Sequence, residues 1–135
     1  MIDIHIDEFH HDCGKALSHL YNSFPRLITL YVDDLISNSG TDEYGIPTRR
    51  HKACFDALLW LAEEGYIRYQ DRIRQDALDQ VVLTEKSFLR LSLPIVSESE
   101  TITDQQTTHA WQLRKATKSG STRAINQAVI TFLTL

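Results

Sequence analysis

Between Pro47 and Gly65 the chain carries both punctuation marks of a helix, a proline at its start and a glycine just past its end, and this stretch constrains the fold more than any other. Placing successive residues about 100° apart gathers Cys54, Ala57, Leu58, Leu61 and Ala62 on one apolar arc, which Phe55 and Leu59 widen. The opposite side carries Arg49, Lys52, Asp56, Trp60 and Glu63. A helix is therefore expected over residues 48–64, with one face for a core and one for water. Gly65 then permits a left-handed turn into an alternating strand over 66–70. The polar stretch 71–79 is expected as a hairpin tip and 80–83 as its returning strand. Thr84 is a good N-cap for a short helix over 85–91, which Pro94 stops.

Upstream, Phe9, Cys13, Leu17, Leu20, Tyr21 and Phe24 recur with a helical period, predicting a helix over 7–23. Asp7 and Glu8 suit the positive end of its dipole, and Pro25 ends it. Residues 27–31 are too short and β-rich for a helix. A compact helical turn is expected over 32–36 and a loop over 37–42. Downstream, 97–103 reads as a polar linker, followed by helices over 104–118 and 121–135 that break at Ser119–Gly120. The last helix places Ile125, Ala128, Val129, Phe132 and Leu133 on one side. The expected class is mainly α with a small β-hairpin, an α+β fold.

A length of 135 residues fits one compact unit that builds its core without disulfide staples. With 42% hydrophobic and 24% charged residues the composition is average, which excludes wholesale disorder, collagen and a disulfide scaffold. Nothing in the sequence is long and apolar enough for a bilayer span, so no membrane partner is expected. The first twelve residues carry Asp3, Asp7, Glu8 and Asp12 and no Lys or Arg, the reverse of a secretory leader, so a cytoplasmic protein is expected. Cys13 and Cys54 lie 41 positions apart, no metal-ligand spacing, and are expected as reduced core residues.

The segment Ala57-Leu58-Leu59-Trp60-Leu61-Ala62-Glu63-Glu64-Gly65-Tyr66-Ile67, followed by Val82-Leu83-Thr84-Glu85-Lys86, resembles the winged helix-turn-helix signature of MarR/PadR-type transcriptional regulators. In that pattern a long helix ends in Leu-x-x-x-Gly-x-Ile, a hairpin wing follows, and Leu-Thr opens the next helix. Leu30-Tyr31-Val32-Asp33-Asp34-Leu35-Ile36 resembles the short strand and second helix that precede it. The resemblance covers residues 7–91. It implies a winged-helix domain over 1–96 and a C-terminal helical extension over 97–135 that either dimerises or closes the core. Two departures stand out: residues 38–46 lengthen the turn between the two helices, and Ser87 replaces a glycine common in the family.

What the resemblance implies about function is a non-catalytic regulator whose long helix enters the major groove of duplex DNA while the wing meets the backbone. Thr48, Arg49, Arg50, His51 and Lys52 stand where the helix contact would be made, and Arg68, Arg72 and Arg74 lie on or near the wing. Against this stands a net charge of −4, which gives no general attraction to nucleic acid, so only a locally basic face would bind it. The alternative is an acidic winged-helix module that docks another protein through a face centred on Trp60. That ring belongs to the polar side of its helix, so either the C-terminal helices or a partner is expected to cover it. Ile125, Val129, Phe132 and Leu133 form either a homodimer seam or part of one subunit's core, and Arg114, Lys115, Lys118 and Arg123 make a second basic cluster.

Two chemical readings are weaker. His5, Asp7, His10, His11, Asp12, Cys13 and His19 are of types that suit zinc, but His10 and His11 point apart and no second cluster completes a site, so no metal or other cofactor is expected. No phosphate loop, nucleophile elbow or His-Glu-x-x-His motif is present, so no enzyme is expected.

Overall fold

The computed structural model describes residues 3–36, 44, 46–95 and 107–135. These form an α+β fold: helix α1 (Ile4–Ser23), strand β1 (Ile28–Tyr31), a 3-10 turn (Val32–Asp34), helix α2 (Arg49–Glu63), strands β2 (Ile67–Arg68), β3 (Asp71–Ile73) and β4 (Ala77–Leu83), and helices α3 (Glu85–Ser92), α4 (His109–Ser119) and α5 (Thr122–Leu133). No helix is long and apolar enough to cross a membrane among the described residues.

β4 is the central strand of an antiparallel sheet. Its first half lies between β1 and β3, so Leu78 faces Leu30 on one side and Arg72 on the other, and its second half pairs with β2. β2 and β3 are thus two pieces of one hairpin limb. The register between β1 and β4 slips by one residue between Ile28 and Leu30, and Gln80 there takes a left-handed φ of 54°. The bulge turns both Val81 and Val82 inward.

α1 is the hub of the helical layer, packing against α2, α4, α5 and the sheet. Its stripe of Cys13, Ala16, Leu17 and Leu20 meets Leu58 and Leu61 of α2, Leu113 of α4 and Val129 and Phe132 of α5 in one continuous core. Gly14 makes the close approach possible: a Cβ there would stand 3.2 Å from the Thr117 methyl and 3.4 Å from a Val129 methyl. α2 ends in a Schellman turn, with Tyr66 N–H donating to Leu61 O at 2.8 Å and Gly65 N–H to Ala62 O at 3.1 Å, at a φ of 82° for Gly65. Thr84 and Ser87 lock α3 onto that turn. The Thr84 hydroxyl donates to the Gly65 carbonyl at 2.7 Å, and Ser87 Oγ donates to Tyr66 O at 2.6 Å.

Several expectations shift. The hairpin is longer than its sequence suggested, since Asp71–Ile73 is strand and only Arg74, Gln75 and Asp76 make the turn. The compact helical turn expected over 32–36 is present as a 3-10 turn over Val32–Asp34, with Ile36 N–H donating to Val32 O at 3.2 Å. α1 begins at Ile4, earlier than expected, and α4 begins at His109 with Thr108 as its N-cap. The loop at 37–42, the linker at 97–103 and the boundary at 96/97 lie outside the described residues.

Candidate nucleic-acid interface

The start of α2 is where the sequence placed the reading head, and local chemistry sets its geometry. Thr48 caps the helix, its hydroxyl accepting from His51 N–H at 3.1 Å. That fixes the rotation of the first turn and sends its side chains to three different destinations.

Arg50 turns inward. Its guanidinium donates to Asp12 of α1 through Nη1–Oδ2 at 2.7 Å and Nη2–Oδ1 at 2.6 Å. The Asp12 side chain is 1% exposed and that of Arg50 19%. The bond to Asp12 raises the Arg50 pKa further above its usual value, so its charge is permanent and committed. Arg49 points outward but spans to Glu8 of α1, with Nη2–Oε1 at 3.2 Å. His51 is buried, and its Nε2 lies 2.7 Å from the Gln75 carbonyl, which can only accept, so Nε2 carries a proton. Asp76 Oδ1 lies 3.3 Å from the same nitrogen, and the helix start is thereby hooked to the hairpin turn.

The expectation that Arg49 and Arg50 offer free charge to DNA is therefore corrected. Arg50 neutralises a buried carboxylate that would otherwise be desolvated alone, and Arg49 shares its charge with Glu8. Thr48 is half-buried and serves as a cap.

Lys52, Arg68, Arg72 and Arg74 are different. All four are exposed, and they line two adjoining depressions that form the groove between α2 and the hairpin. One depression, of about 380 Å³, lies between Lys52, Asp56 and Leu59 of α2 and Arg72, Arg74 and Gln75 of the hairpin. The other, of about 590 Å³, continues past Glu63 and Trp60 to Arg68 and Tyr69. Arg72 is steadied by its Nε donating to the Tyr69 hydroxyl at 3.3 Å, and Arg74 is displayed at the turn by a φ of 52°. Against these four cations the groove sets two carboxylates, Asp56 and Glu63. It is locally positive on a chain that is negative overall.

Trp60 is 38% exposed, and within the chain it is not the C-terminal helices that pack directly on it. Phe9 of α1 meets it edge-on at 5.1 Å between ring centroids, and Tyr66 stacks at 6.0 Å. Among the ring contacts of the described residues, the C-terminal helices reach this cluster through Phe132 against Tyr66. Of the two alternatives for Ile125, Val129, Phe132 and Leu133, a homodimer seam or the core of one subunit, the packing gives the core. The first three are buried in the chain's own core and Leu133 packs at its edge, because α5 turns that face onto α1 and α4.

The histidine-rich start of the chain is occupied by internal bonds. His10 Nδ1 lies 3.0 Å from Asn126 Oδ1, and Asn126 Nδ2 donates to Asp7 at 2.7 Å. His11 Nδ1 lies 3.0 Å from Asp12. No three metal-binding side chains converge among the described residues. Cys13 and Cys54 are free and buried. Burial, and then the nearby Asp12 charge, push both thiols well above their usual pKa.

Sequence reasoning missed Asp12 and Glu8 as the partners of the two arginines. A signal was present for Asp12, which sits between Phe9, Cys13 and Ala16 on the apolar stripe of α1, where a carboxylate requires a cation. Comparison with known proteins adds no relative: no family model, no curated protein and no solved structure matches this chain.

Proposed function

We propose that this chain is a winged helix-turn-helix protein, similar to the MarR/PadR-type regulators, that binds duplex DNA as a non-catalytic transcriptional regulator in the cytoplasm, without a cofactor. The element order supports the fold assignment: helix, strand, short turn, long helix, hairpin, helix, with β4 between β1 and the hairpin's other limb. One observation carries the functional reading. Lys52 on the long helix and Arg68, Arg72 and Arg74 on the hairpin line one groove, where a helix in a major groove and a wing on the backbone would flank a phosphate run. The helix contribution is thereby reduced to Lys52, the fourth residue of α2, and the hairpin supplies the other three cations. A homodimer belongs to the same proposal, built by residues other than Ile125, Val129 and Phe132.

The test is retention of a mixed-sequence duplex by the full chain at low salt. Replacing Lys52, Arg72 and Arg74 together by Ala removes binding while the circular dichroism spectrum stays native. Undiminished binding by that variant overturns the proposal.

A second reading is supported by Trp60, Asp56 and Glu63 on the same groove, a half-exposed ring beside carboxylates. These suit a protein partner with a basic rim. Failure to bind any duplex, with a partner protein lost on Trp60→Ala but not on the triple substitution, selects that reading.

A further inference from the structure

The chain's charge is divided unequally along its length. Residues 107–135 contain Arg114, Lys115, Lys118 and Arg123 and no Asp or Glu, while the first 106 residues carry eighteen carboxylates against ten Lys and Arg. Residues 107–135 make up the α4–α5 hairpin, so this element itself contributes cations and no carboxylate side chain to an otherwise acidic protein. Lys115, Lys118 and Arg123 are exposed, and among the described residues none of them forms an ion pair. A cluster of like charges on one element favours partners of the opposite sign and speeds their encounter.

The same surface has an apolar groove. A depression of about 470 Å³ runs between α4 and α5, with Ile95, Trp111, Ala116 and Ala124 among its walls and Lys115 as the one charged lining residue among the described residues. Trp111 is 47% exposed, and Lys115 Nζ sits 5.0 Å from the centre of its ring, so anchor and cation stand side by side. Ile130, on the neighbouring helix, is likewise 48% exposed.

We infer that the α4–α5 groove docks an acidic amphipathic segment of a partner protein, with an apolar side chain against Trp111 and flanking carboxylates on Lys115, Lys118 and Arg123. The chemistry favours this occupant over two others. A second copy related by a two-fold axis would set this cationic face against itself. A nucleic-acid strand would satisfy the charges but leave the apolar walls unfilled, and base stacking would have to displace Lys115 from the ring. An acidic segment with an apolar anchor satisfies both features at once. The inference is independent of the DNA reading, since it concerns different residues on different helices.

The test uses the full chain carrying Trp60→Phe, which leaves Trp111 as the only tryptophan of the two in the sequence. It is titrated with a short synthetic peptide in which Asp and Glu flank Leu and Phe. The expected result is a shift in Trp111 emission that saturates and weakens as salt is raised. The double substitution Lys115→Glu, Arg123→Glu, at two exposed positions that leave the fold intact, lowers the affinity on the order of tenfold. Four results overturn the inference: no saturable shift, equal binding of the peptide with Asn and Gln in place of its acids, equal binding of an acidic peptide without apolar residues, or a monomer–dimer equilibrium abolished by the same double substitution. Sedimentation of the chain without peptide reads the last of these.

Discussion

Arg50 of α2 holds Asp12 of α1 by two hydrogen bonds of 2.7 and 2.6 Å, and this ion pair, not a contact to a ligand, is what the first turn of α2 is built around. Removing one member of a buried pair leaves the other charge desolvated. Arg50→Met is therefore expected to cost about 3 kcal/mol, the lower end for such a break because the guanidinium keeps partial access to water. Asp12→Leu combined with Arg50→Met is expected to lose less than Arg50→Met alone. Urea denaturation of the parent and the two variants measures both, and an Arg50→Met protein as stable as the parent would show that the pair contributes nothing.

The same geometry separates two kinds of arginine in a binding experiment. Each phosphate neutralised in duplex DNA contributes about −0.9 to the slope of log affinity against log salt. Lys52→Ala, Arg72→Ala and Arg74→Ala are each expected to flatten the slope by about that amount. Arg49→Ala is expected to flatten it less, since Glu8 already holds that guanidinium. Fluorescence anisotropy with a labelled duplex over a salt series reads the slopes, and a larger effect from Arg49 than from Lys52 would return the contact to Arg49.

Phe132 distinguishes a core from a seam. It is 1% exposed and rests on Tyr66 at 5.4 Å between centroids. Phe132→Ala is expected to lower the unfolding free energy by about 3–5 kcal/mol, whatever the protein concentration. A seam residue would instead change the association constant and leave the monomer's stability nearly untouched. Denaturation at two concentrations tells them apart.

Which parts of this were legible follows from what a single sequence can encode. Gly65 was legible because a left-handed turn after an amphipathic helix leaves few choices of residue, and the φ of 82° meets that expectation. Asp71–Ile73 was read as a hairpin tip because all three residues are exposed, so the strand has no inward-facing alternation to betray it. The exposed cations Lys52, Arg68, Arg72 and Arg74 were identifiable as a set, but the groove that unites them depends on how α2 lies against the hairpin. Arg50 looked like a solvated helix-start cation because its partner lies 38 residues away on another helix. The fate of α5 was undecidable from its stripe alone, since a core face and a dimer seam have the same period.

The two cysteines are expected to be silent toward thiol reagents in the native state. Both are buried, and burial with the adjacent Asp12 charge keeps them as thiols rather than reactive thiolates near neutral pH. Labelling by a chromogenic disulfide at mildly alkaline pH is expected to proceed only as fast as the protein opens. Its rate should rise with urea in step with unfolding. Prompt labelling of either cysteine in native buffer would contradict the packing of α1 on α2.

His109 supplies a pH dependence with a definite sign. It opens α4 after the Thr108 cap, and its backbone N–H donates to Leu93 O at 3.0 Å, tying α4 to the end of α3. Burial lowers its imidazole pKa below the ordinary histidine value, so on acidification the unfolded chain takes up the proton first. The stability tied to neutral His109 is therefore complete above the unfolded pKa of about 6.5 and is lost as the pH falls from there toward the folded value. His109→Gln removes that dependence while keeping a polar side chain of similar reach. The difference in unfolding free energy, parent minus variant, is expected to fall as the pH drops through the unfolded imidazole value of about 6.5 toward the lower folded one. A difference that grew on acidification would mean that the folded chain stabilises the imidazolium, and would place an anion beside His109 that the described residues do not supply.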